Sequence, residues 1–373
     1  MNLEQLFCPN IDCPARGQIR QGNISSHSQK EKRCLCKECG KSFTVTKGTL
    51  FYRLRTDPKT VMCVIVLLAN GCPLQAVVKA FGFDERTVKS WWLRAGTQCA
   101  GVHKHLIGQS RLDLQQVQAD EIKAKVQGGY LWLAMAIMVP TRLWLGGVIS
   151  PRRDKVLIQA LANHIRALAL CRPLLLAVDG LPGYTKAFQR AFRSKVPRFG
   201  KKGRSQLHSW PDIAIVQVIK RRLPSGLEIE RRLVQGCARQ VVRLRQATQK
   251  ALGVINTAYI ERLNATFRLR LSWLTRRTRT LAQQPETLVA GLFIVGCFYN
   301  LCDVHHSLRL RLAVGRFGHC WVHRTPAMAA ALTDHVWTVD KLLMFKVPPP
   351  RWSPPKRRGR PSKETLQLVE RWC

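Results

Sequence analysis

The spacing of hydrophobic residues changes along the chain from helical to strand-like and back again. Apolar residues recur at helical intervals between residues 57 and 95, which predicts helices there. In VQADEIKAKV the apolar period is two, and YLWLAMAIMV and LWLGGVIS follow after very short links. These three segments predict consecutive strands of an antiparallel meander.

A helix and a buried strand are predicted next. Residues 154–170 are amphipathic at helical spacing, and PLLLAVDG is an almost unbroken apolar run, as expected for a strand covered on both faces. Three strands, a helix and a fourth strand in this order are typical of the RNase H-like fold, in which the fourth strand pairs parallel to the first. We therefore predict an α/β protein with an RNase H-like mixed sheet flanked by helices.

The second half of the chain predicts a hairpin followed by helices. IAIVQVIKRR and LEIERRLVQG flank a Pro-Ser-Gly turn, and an Arg-rich helix is expected over residues 239–252. Residues 254–275 predict a helix with an apolar stripe. Beside it runs a polar stripe that contains Glu261, Asn264 and Arg268.

Two short helices with a tight turn between them are predicted near residue 82. Leu74–Phe81 has an amphipathic pattern, Asp84 is a good N-cap, and a second helix is expected from Glu85 to Arg94. This is helix-turn-helix spacing, in which the second helix enters the DNA major groove. Many helical hairpins share the pattern without touching DNA, and the basic surroundings favour DNA contact. The outward side chains that would meet DNA are Arg86, Lys89, Ser90 and Arg94.

The net charge points to a polyanionic partner. Lys and Arg number 61 against 22 Asp and Glu, which gives a formal charge of +39. The excess extends from Lys30 to Arg371, so it is not confined to one tail. Because such a charge destabilises a compact protein by self-repulsion, we expect DNA as the partner and no membrane association.

The apolar segments and the start of the chain predict a cytoplasmic protein. No apolar run reaches the roughly 18 residues of a membrane-spanning helix, and the longest, at residues 130–139 and 288–302, are expected to be core elements. MNLEQLFCPN carries an acid and lacks a basic leader, so no secretory signal is expected. In a reducing compartment the fourteen cysteines are predicted to be metal ligands or buried small side chains, not disulfides.

Two cysteine pairs near the start predict a structural zinc site. Cys8 and Cys13 form a C-x4-C pair, and Cys36 and Cys39 form a C-x2-C pair. Two such pairs separated by a polar stretch match the ligand pattern of a tetrahedral zinc ribbon. Cys34 is an alternative to Cys36, although C-x2-C is the better chelate, and free cysteines in a loop-rich region are the other interpretation.

Three carboxylates lie where metal-dependent phosphodiester chemistry would need them. Asp120 points to the core side of its strand, Asp179 ends the buried strand, and Glu261 lies on a helix. Mg²⁺ or Mn²⁺ prefers carboxylate oxygens, and paired ions activate a water and stabilise a leaving oxygen. Each acid alone has an ordinary interpretation as a strand-edge charge, a turn former or a helix-surface acid. Together, in this element order, they favour a catalytic site.

Other acids are weaker candidates. Strand alternation decides against Glu121, because it groups that residue with two lysines on the opposite face. On the hairpin, Glu228 and Glu230 are the next candidates after the helix acid. Asn264 and Arg268 follow that acid by one and two helical turns and are predicted to contact DNA, so that this face of the helix would meet metal at the carboxylate and phosphate farther along.

A family pattern extends over nearly the whole chain, in RCLCKECGKSF, VQADEI, LLLAVDGLPGY and NTAYIERLNATFRLRL, and in the later YNLCDVHHSL and RTPAMAAALTDHVWTV. With these segments the chain resembles the DDE transposases of bacterial insertion sequences, near the first-described insertion-sequence family. The resemblance implies nicking at the ends of a mobile element and attack of the new 3′-hydroxyl on target DNA. It also implies Mg²⁺ at Asp120, Asp179 and Glu261, a homo-oligomer on paired terminal repeats and association with the bacterial nucleoid.

The expected domains are a zinc ribbon at 1–52, a helix-turn-helix domain at 53–108, an RNase H-like catalytic domain at 109–312, and a basic extension at 313–373. From Pro348 onward the chain is rich in proline and basic residues and is expected to be disordered. Within it, KRRGRPSK resembles an AT-hook, whose Arg358 and Arg360 would enter the narrow minor groove of A·T-rich DNA. A solvated basic tail with general phosphate affinity is an equal alternative.

Two other classes of function stay open. A non-enzymatic DNA-binding regulator would use the ribbon and the helix-turn-helix without a carboxylate triad, and the VDG and NTAYIERLN segments argue against it. A structure-specific nuclease on the same fold would share the acids but would not need two dedicated end-binding modules.

Overall fold

The chain divides into two compact units. The computed structural model describes residues 3–196, 204–224, 226–248, 254–275, 282, 284–314, 318–354 and 359–373. One unit comprises Met1–Val61 together with Leu343–Cys373, and the other comprises Met62–Leu342. The two ends of the chain therefore belong to the same unit.

Runs of strands and runs of helices follow one another along the described residues. The described strands are β1 (Ile24–Ser28), β2 (Arg33–Cys36), β3 (Ser42–Thr44), β4 (Gln116–Val126), β5 (Gly129–Met138), β6 (Leu143–Ser150), β7 (Leu174–Asp179), β8 (Arg193–Val196), β9 (Gln206–Ser209), β10 (Ile213–Leu223), β11 (Gly226–Gln235), β12 (Leu310–Val314) and β13 (Gly318–Val322). The described α-helices are α1 (Pro58–Ala69), α2 (Leu74–Phe81), α3 (Glu85–His103), α4 (Lys155–Leu168), α5 (Pro182–Ala191), α6 (Ala238–Thr248), α7 (Ala258–Arg270), α8 (Pro285–Cys297), α9 (Pro326–Ala329), α10 (Val339–Met344) and α11 (Lys363–Trp372).

The larger unit contains a mixed sheet, whose described strands lie in the order β11-β10-β7-β4-β5-β6. β4, β5 and β6 form the predicted antiparallel meander. β7 pairs parallel to β4, and β10 pairs parallel to β7. The predicted α/β class and the parallel pairing of the fourth strand with the first are confirmed.

Helices pack on both faces of this sheet. On one face, Gln116 of β4 accepts a hydrogen bond from Thr248 of α6, and Gln118 of β4 bonds the start of α7. On the other face, Gln217 of β10 donates to the carbonyl of Leu181, the residue that precedes α5. Burial on both sides explains why β7 has an unbroken apolar sequence.

The predicted helix-turn-helix segment has the expected start but a longer second helix. The bounds Leu74–Phe81 are as predicted, and the Asp84 carboxylate caps α3 by accepting from the Arg86 amide. We expected α3 to end at Arg94, but it continues to His103. Its extra turns pack on α8, where an added Cβ at Gly96 would lie 2.3 Å from the Cβ of Ala290. The glycine allows this close helix crossing.

One helix among the described residues is long and apolar enough to cross a membrane. It runs over Pro285–Cys302 because α8 begins before the predicted residue 288 and continues into a π-helical turn. The expectation that no run reaches this length was therefore wrong. Since 67% of the segment is buried inside the unit, it packs as a core helix.

A helix lies within the tail, which was expected to be disordered: α11 covers Lys363–Trp372. α11 begins after Ser362, whose hydroxyl accepts from the Thr365 amide, and Trp372 at its end is 3% exposed. The Trp372 ring joins a core that includes Cys34 and Phe43 of the N-terminal segment. The proline-rich and basic composition before α11 favoured disorder, although the ten residues of the helix have helical spacing and a Ser362 N-cap; the apolar partners of the helix lie more than 300 positions earlier.

We expect Trp372→Ala to lower the free energy of unfolding of this unit by about 3–5 kcal/mol, because it leaves a large cavity in a small core. Leu366→Ala on the same helix is the matched control, since Leu366 is 47% exposed. Thermal unfolding compares the two variants. Equal midpoints would show that α11 does not stabilise the unit.

Candidate functional site

Asp120 and Asp179 lie side by side on one face of the sheet. The parallel register pairs Ala119 with Val178, so the next residues are the two aspartates. Both line a cavity of about 430 Å³ beyond the carboxyl end of β7. Glu261 lines the same cavity. The structure therefore brings together the three acids that were singled out in the sequence.

Glu261 reaches the cavity because a buried glutamine holds the start of α7. The side-chain carbonyl of Gln118 accepts from the backbone amides of Tyr259 and Ile260 at 3.0 Å. The side-chain amide of Gln118 donates to the backbone carbonyl of Asn256 at 2.6 Å. These bonds satisfy two of the free amides at the helix N-terminus. They also fix the start of the helix at Ala258. Because α7 ends at Arg270, it is shorter than the predicted 254–275.

Asp120 is held by its neighbours and stays partly buried. The Asn264 amide of α7 donates to Asp120 Oδ2 at 2.7 Å, and the Glu121 backbone amide donates to Oδ1 at 2.8 Å. The pKa of Asp120 is raised to about 6, mainly by burial and to a smaller extent by the nearby charges of Glu121, Asp179 and Glu261, while the backbone hydrogen bond from Glu121 opposes the shift. This environment disfavours the carboxylate unless a cation lies beside it.

Glu121 belongs to the site although alternation had excluded it. Its side chain does point to the other face, yet Arg153 connects it to Asp179: Nη2 lies 3.0 Å from Glu121 Oε2 and 3.4 Å from Asp179 Oδ2. Burial raises the pKa of Glu121, Asp179 raises it further, and Arg153 lowers it. Alternation alone did not place Glu121 at the site, because side chains from both faces of β4 lie close together at the point where the neighbouring strand β7 ends.

The acid cluster has the composition of a divalent-cation site. One carboxylate oxygen from each of Asp120, Glu121 and Asp179 lies within 4.8 Å of the others. Glu121 Oε1 and Asn264 Oδ1 are buried and have no hydrogen-bond partner among the described residues. Mg²⁺ and Mn²⁺ prefer oxygen ligands, and these oxygens have lone pairs that no hydrogen-bond donor occupies.

Glu261 lies in the cavity but outside that group of three. Its Oε1 accepts from Lys220 Nζ and, at 2.5 Å, from the Thr257 hydroxyl. Partial burial raises the pKa of Glu261, but the hydrogen bonds from Lys220 and Thr257 lower it below its ordinary value. The carboxylate is therefore ionised and paired with a cation that a metal ion would have to displace.

Comparison with known proteins does not extend the assignment. No protein-family model matches the chain, and no curated protein matches it.

The charge of Asp120 is expected to destabilise the metal-free protein. Its folded-state pKa of about 6 lies above the ordinary 3.8, so the folded state holds the proton more tightly. The resulting stability is present below about pH 4 and is lost as pH rises through 6. Without added Mg²⁺ or Mn²⁺, Asp120→Asn should therefore raise the free energy of unfolding at pH 7.5 by up to about 3 kcal/mol, and by almost nothing at pH 4.

Urea unfolding at the two pH values measures this difference. Glu228→Gln is the control, because it removes a negative charge from an exposed hairpin position. A gain for Asp120→Asn that is equal at both pH values would contradict the assignment of the raised pKa.

The four predicted zinc ligands are gathered in the smaller unit. Sulfur atoms of Cys8, Cys13, Cys36 and Cys39 lie within 4.8 Å of one another. Two pairs are 3.6 Å and 3.8 Å apart, and four sulfurs bound tetrahedrally at 2.3 Å would be separated by about 3.8 Å. Cys34 is not a member of the group, so the choice of Cys36 over Cys34 is supported. The site is compatible with Zn²⁺.

Burial favours the protonated form of two thiols of this group. Burial raises the pKa of Cys8 to about 12 and also raises that of Cys13. The Asn23 amide donates to Cys36 Sγ at 3.6 Å, as an outer partner of a ligand would. Binding of Zn²⁺ would release protons from these thiols, so its affinity should fall at low pH.

The predicted DNA-contacting residues are divided between surface and interior. Arg86 and Ser90 of α3 are exposed, whereas Lys89 forms an ion pair with Glu85 at 2.6 Å and Arg94 is half-buried. Arg86 and Ser90 therefore form the accessible part of the predicted recognition surface.

Among the other predicted contacts, Asn264 lies in the interior of the larger unit. It is 1% exposed and bonds Asp120, so it positions a carboxylate. Arg268 is half-buried on α7 and Arg360 is exposed. Arg358 lies outside the described residues.

Sequence patterns did not identify four residues of the site: Gln118, Glu121, Arg153 and Lys220. Gln118 is a polar residue inside an apolar strand pattern, and this was a detectable signal for a buried structural contact. Arg153 and Lys220 carried no such signal in a chain with 61 basic residues. Their roles depend on which strand ends meet.

Proposed function

We propose that the chain is a DNA transposase of the DDE type. It would nick the ends of a mobile element and join the free 3′-hydroxyl to target DNA by metal-dependent phosphoryl transfer. The observation that carries the proposal is the shared cavity of Asp120, Asp179 and Glu261, on a sheet with the strand order and parallel pairing expected of an RNase H-like core.

The side chains of the cavity suit this reaction. When bound, Mg²⁺ would supply an activated water or hydroxyl and stabilise the leaving oxygen. Asp120 and Asp179 would hold the ion, and Asn264 would orient Asp120. Arg153 and Lys220 would keep the carboxylates paired without the ion. Both cations also face a site where phosphate would enter.

Other features favour DNA as the substrate. A formal charge of +39 suits a polyanion, and α2 and the start of α3 have helix-turn-helix spacing. We infer that the cysteine unit is a zinc ribbon, and that these modules bind the terminal repeats while the core acts on the ends. Two ends must be held together, so a homo-oligomer is expected. Its location would be the bacterial cytoplasm, at the nucleoid.

A cleavage and joining assay tests the proposal. Purified protein is incubated in Mg²⁺ with DNA that carries the ends of the element, and a second reaction supplies pre-nicked ends with a free 3′-hydroxyl. Nicking followed by joining supports a transposase. Nicking without joining would identify a nuclease, and binding without either reaction would identify a regulator.

A further inference from the structure

The hairpin of β10 and β11 projects from the sheet edge that carries the catalytic acids. Pairing of β10 with β7 ends at Val218, opposite Asp179. Beyond that point, residues 219–223 of β10 pair only with residues 226–230 of β11. These residues form a two-stranded ribbon, here called the distal ribbon, next to the cavity.

The two faces of the hairpin differ in charge. Directly paired residues share a face, so Lys220, Arg222 and Arg231 lie together. No acid of the hairpin lies with them among the described residues. The other face pairs its cations with acids: Arg221 lies 3.1 Å and Arg232 2.9 Å from Glu230. One face is therefore strongly positive, and the other is nearly neutral.

The positive face continues from the cavity. Lys220 lines the cavity and bonds Glu261. Arg222 lies two residues farther along the same strand face, about 7 Å outward, and forms no ion pair with the described residues. Leu227 and Ile229, which pair with Arg222 and Lys220, are 60% and 36% exposed. Apolar side chains that lie between cations would contact the sugars and base edges that lie between the phosphates of DNA.

We propose that the positive face of the distal ribbon binds the DNA backbone beside the phosphate that is cleaved. A two-stranded ribbon fits the DNA major groove, and its cations would contact phosphates on the way to the cavity. The role of the ribbon in the reaction depends on the proposed function. The contact with DNA does not.

Adjacent residues on opposite faces provide a matched test. Arg222→Ala removes a cation from the positive face, and Arg221→Ala removes one from the neutral face while Arg232 still pairs with Glu230. Binding of the full chain to a short duplex of arbitrary sequence is measured without added Mg²⁺ or Mn²⁺ and without a chelator, over a range of salt concentrations. We expect Arg222→Ala to weaken binding roughly tenfold and to reduce the slope of log affinity against log salt by about one. Arg221→Ala should change neither.

Plasmid nicking in Mg²⁺ separates the two proposals. Equal binding by the two variants, or equal losses, would overturn the ribbon proposal even where nicking occurs. A selective loss for Arg222→Ala without nicking by the wild-type protein would support the DNA contact and remove the proposed function. Circular dichroism of both variants verifies that the hairpin mutations leave the fold intact.

Discussion

Asp120→Asn, Asp179→Asn and Glu261→Gln are each expected to reduce nicking in Mg²⁺ by several orders of magnitude. Each change removes a negative charge with almost no change in shape, so the loss reports on metal binding and not on packing. DNA affinity should be retained, because the surface becomes no less positive. Nicking of element-end DNA in Mg²⁺ is measured on each variant, and binding of the same DNA is measured without added Mg²⁺ or Mn²⁺ and without a chelator, so that the zinc site stays intact.

Glu228→Gln is the control for these variants, because Glu228 is an exposed acid of the hairpin outside the cavity. Near-normal nicking by Glu261→Gln would refute its assignment, and loss of nicking in Glu228→Gln would transfer the role to the hairpin. Glu121→Gln completes the set, since its carboxylate lies in the group of three. A loss as large as that of Asp120→Asn would identify Glu121 as a metal ligand.

Cys36→Ser is expected to abolish zinc binding and to unfold the smaller unit. Metal binding contributes about 10–16 kcal/mol in comparable structural sites, more than a unit of this size gains from its core. The larger unit has its own buried core and should remain folded. Elemental analysis measures the zinc content, and hydrogen exchange locates the unfolded residues.

Cys34→Ala is the matched control, because Cys34 is a buried cysteine two residues away that lies outside the four-sulfur group. We expect it to retain one zinc ion per chain. Loss of zinc from Cys34→Ala but not from Cys36→Ser would exchange their roles. Absence of zinc from the wild-type protein would contradict the metal assignment altogether.

The local pattern was sufficient for most elements of the larger unit. Period two in VQADEIKAKV, helical spacing after Asp154 and the apolar run before Asp179 each correspond to an observed strand or helix. Asp154 caps α4 by accepting from the amides of Val156 and Leu157. These features depend on backbone hydrogen bonding and side-chain direction over a few residues, so a single sequence contains them.

The spacing of a few chemically distinctive side chains was equally informative. A cysteine pair with chelating spacing can be recognised from a few neighbouring residues. The four sulfurs are close together as expected. Asp120 and Asp179 could be chosen because few acids occur in so basic a chain and because both occupy special strand positions. The sequence could therefore indicate which residues carry the chemistry.

Only the tertiary structure decided which of these residues meet, and through which contacts. Glu121 joins the acid group through Arg153, and Asn264 is buried against Asp120 instead of facing DNA. The C-terminal helix packs into the N-terminal cysteine core. The periods of strands and helices specify which side of each element is apolar, but they do not specify strand order or register. Contacts between distant segments depend on that order and register, so they were determined by the packing of the whole unit.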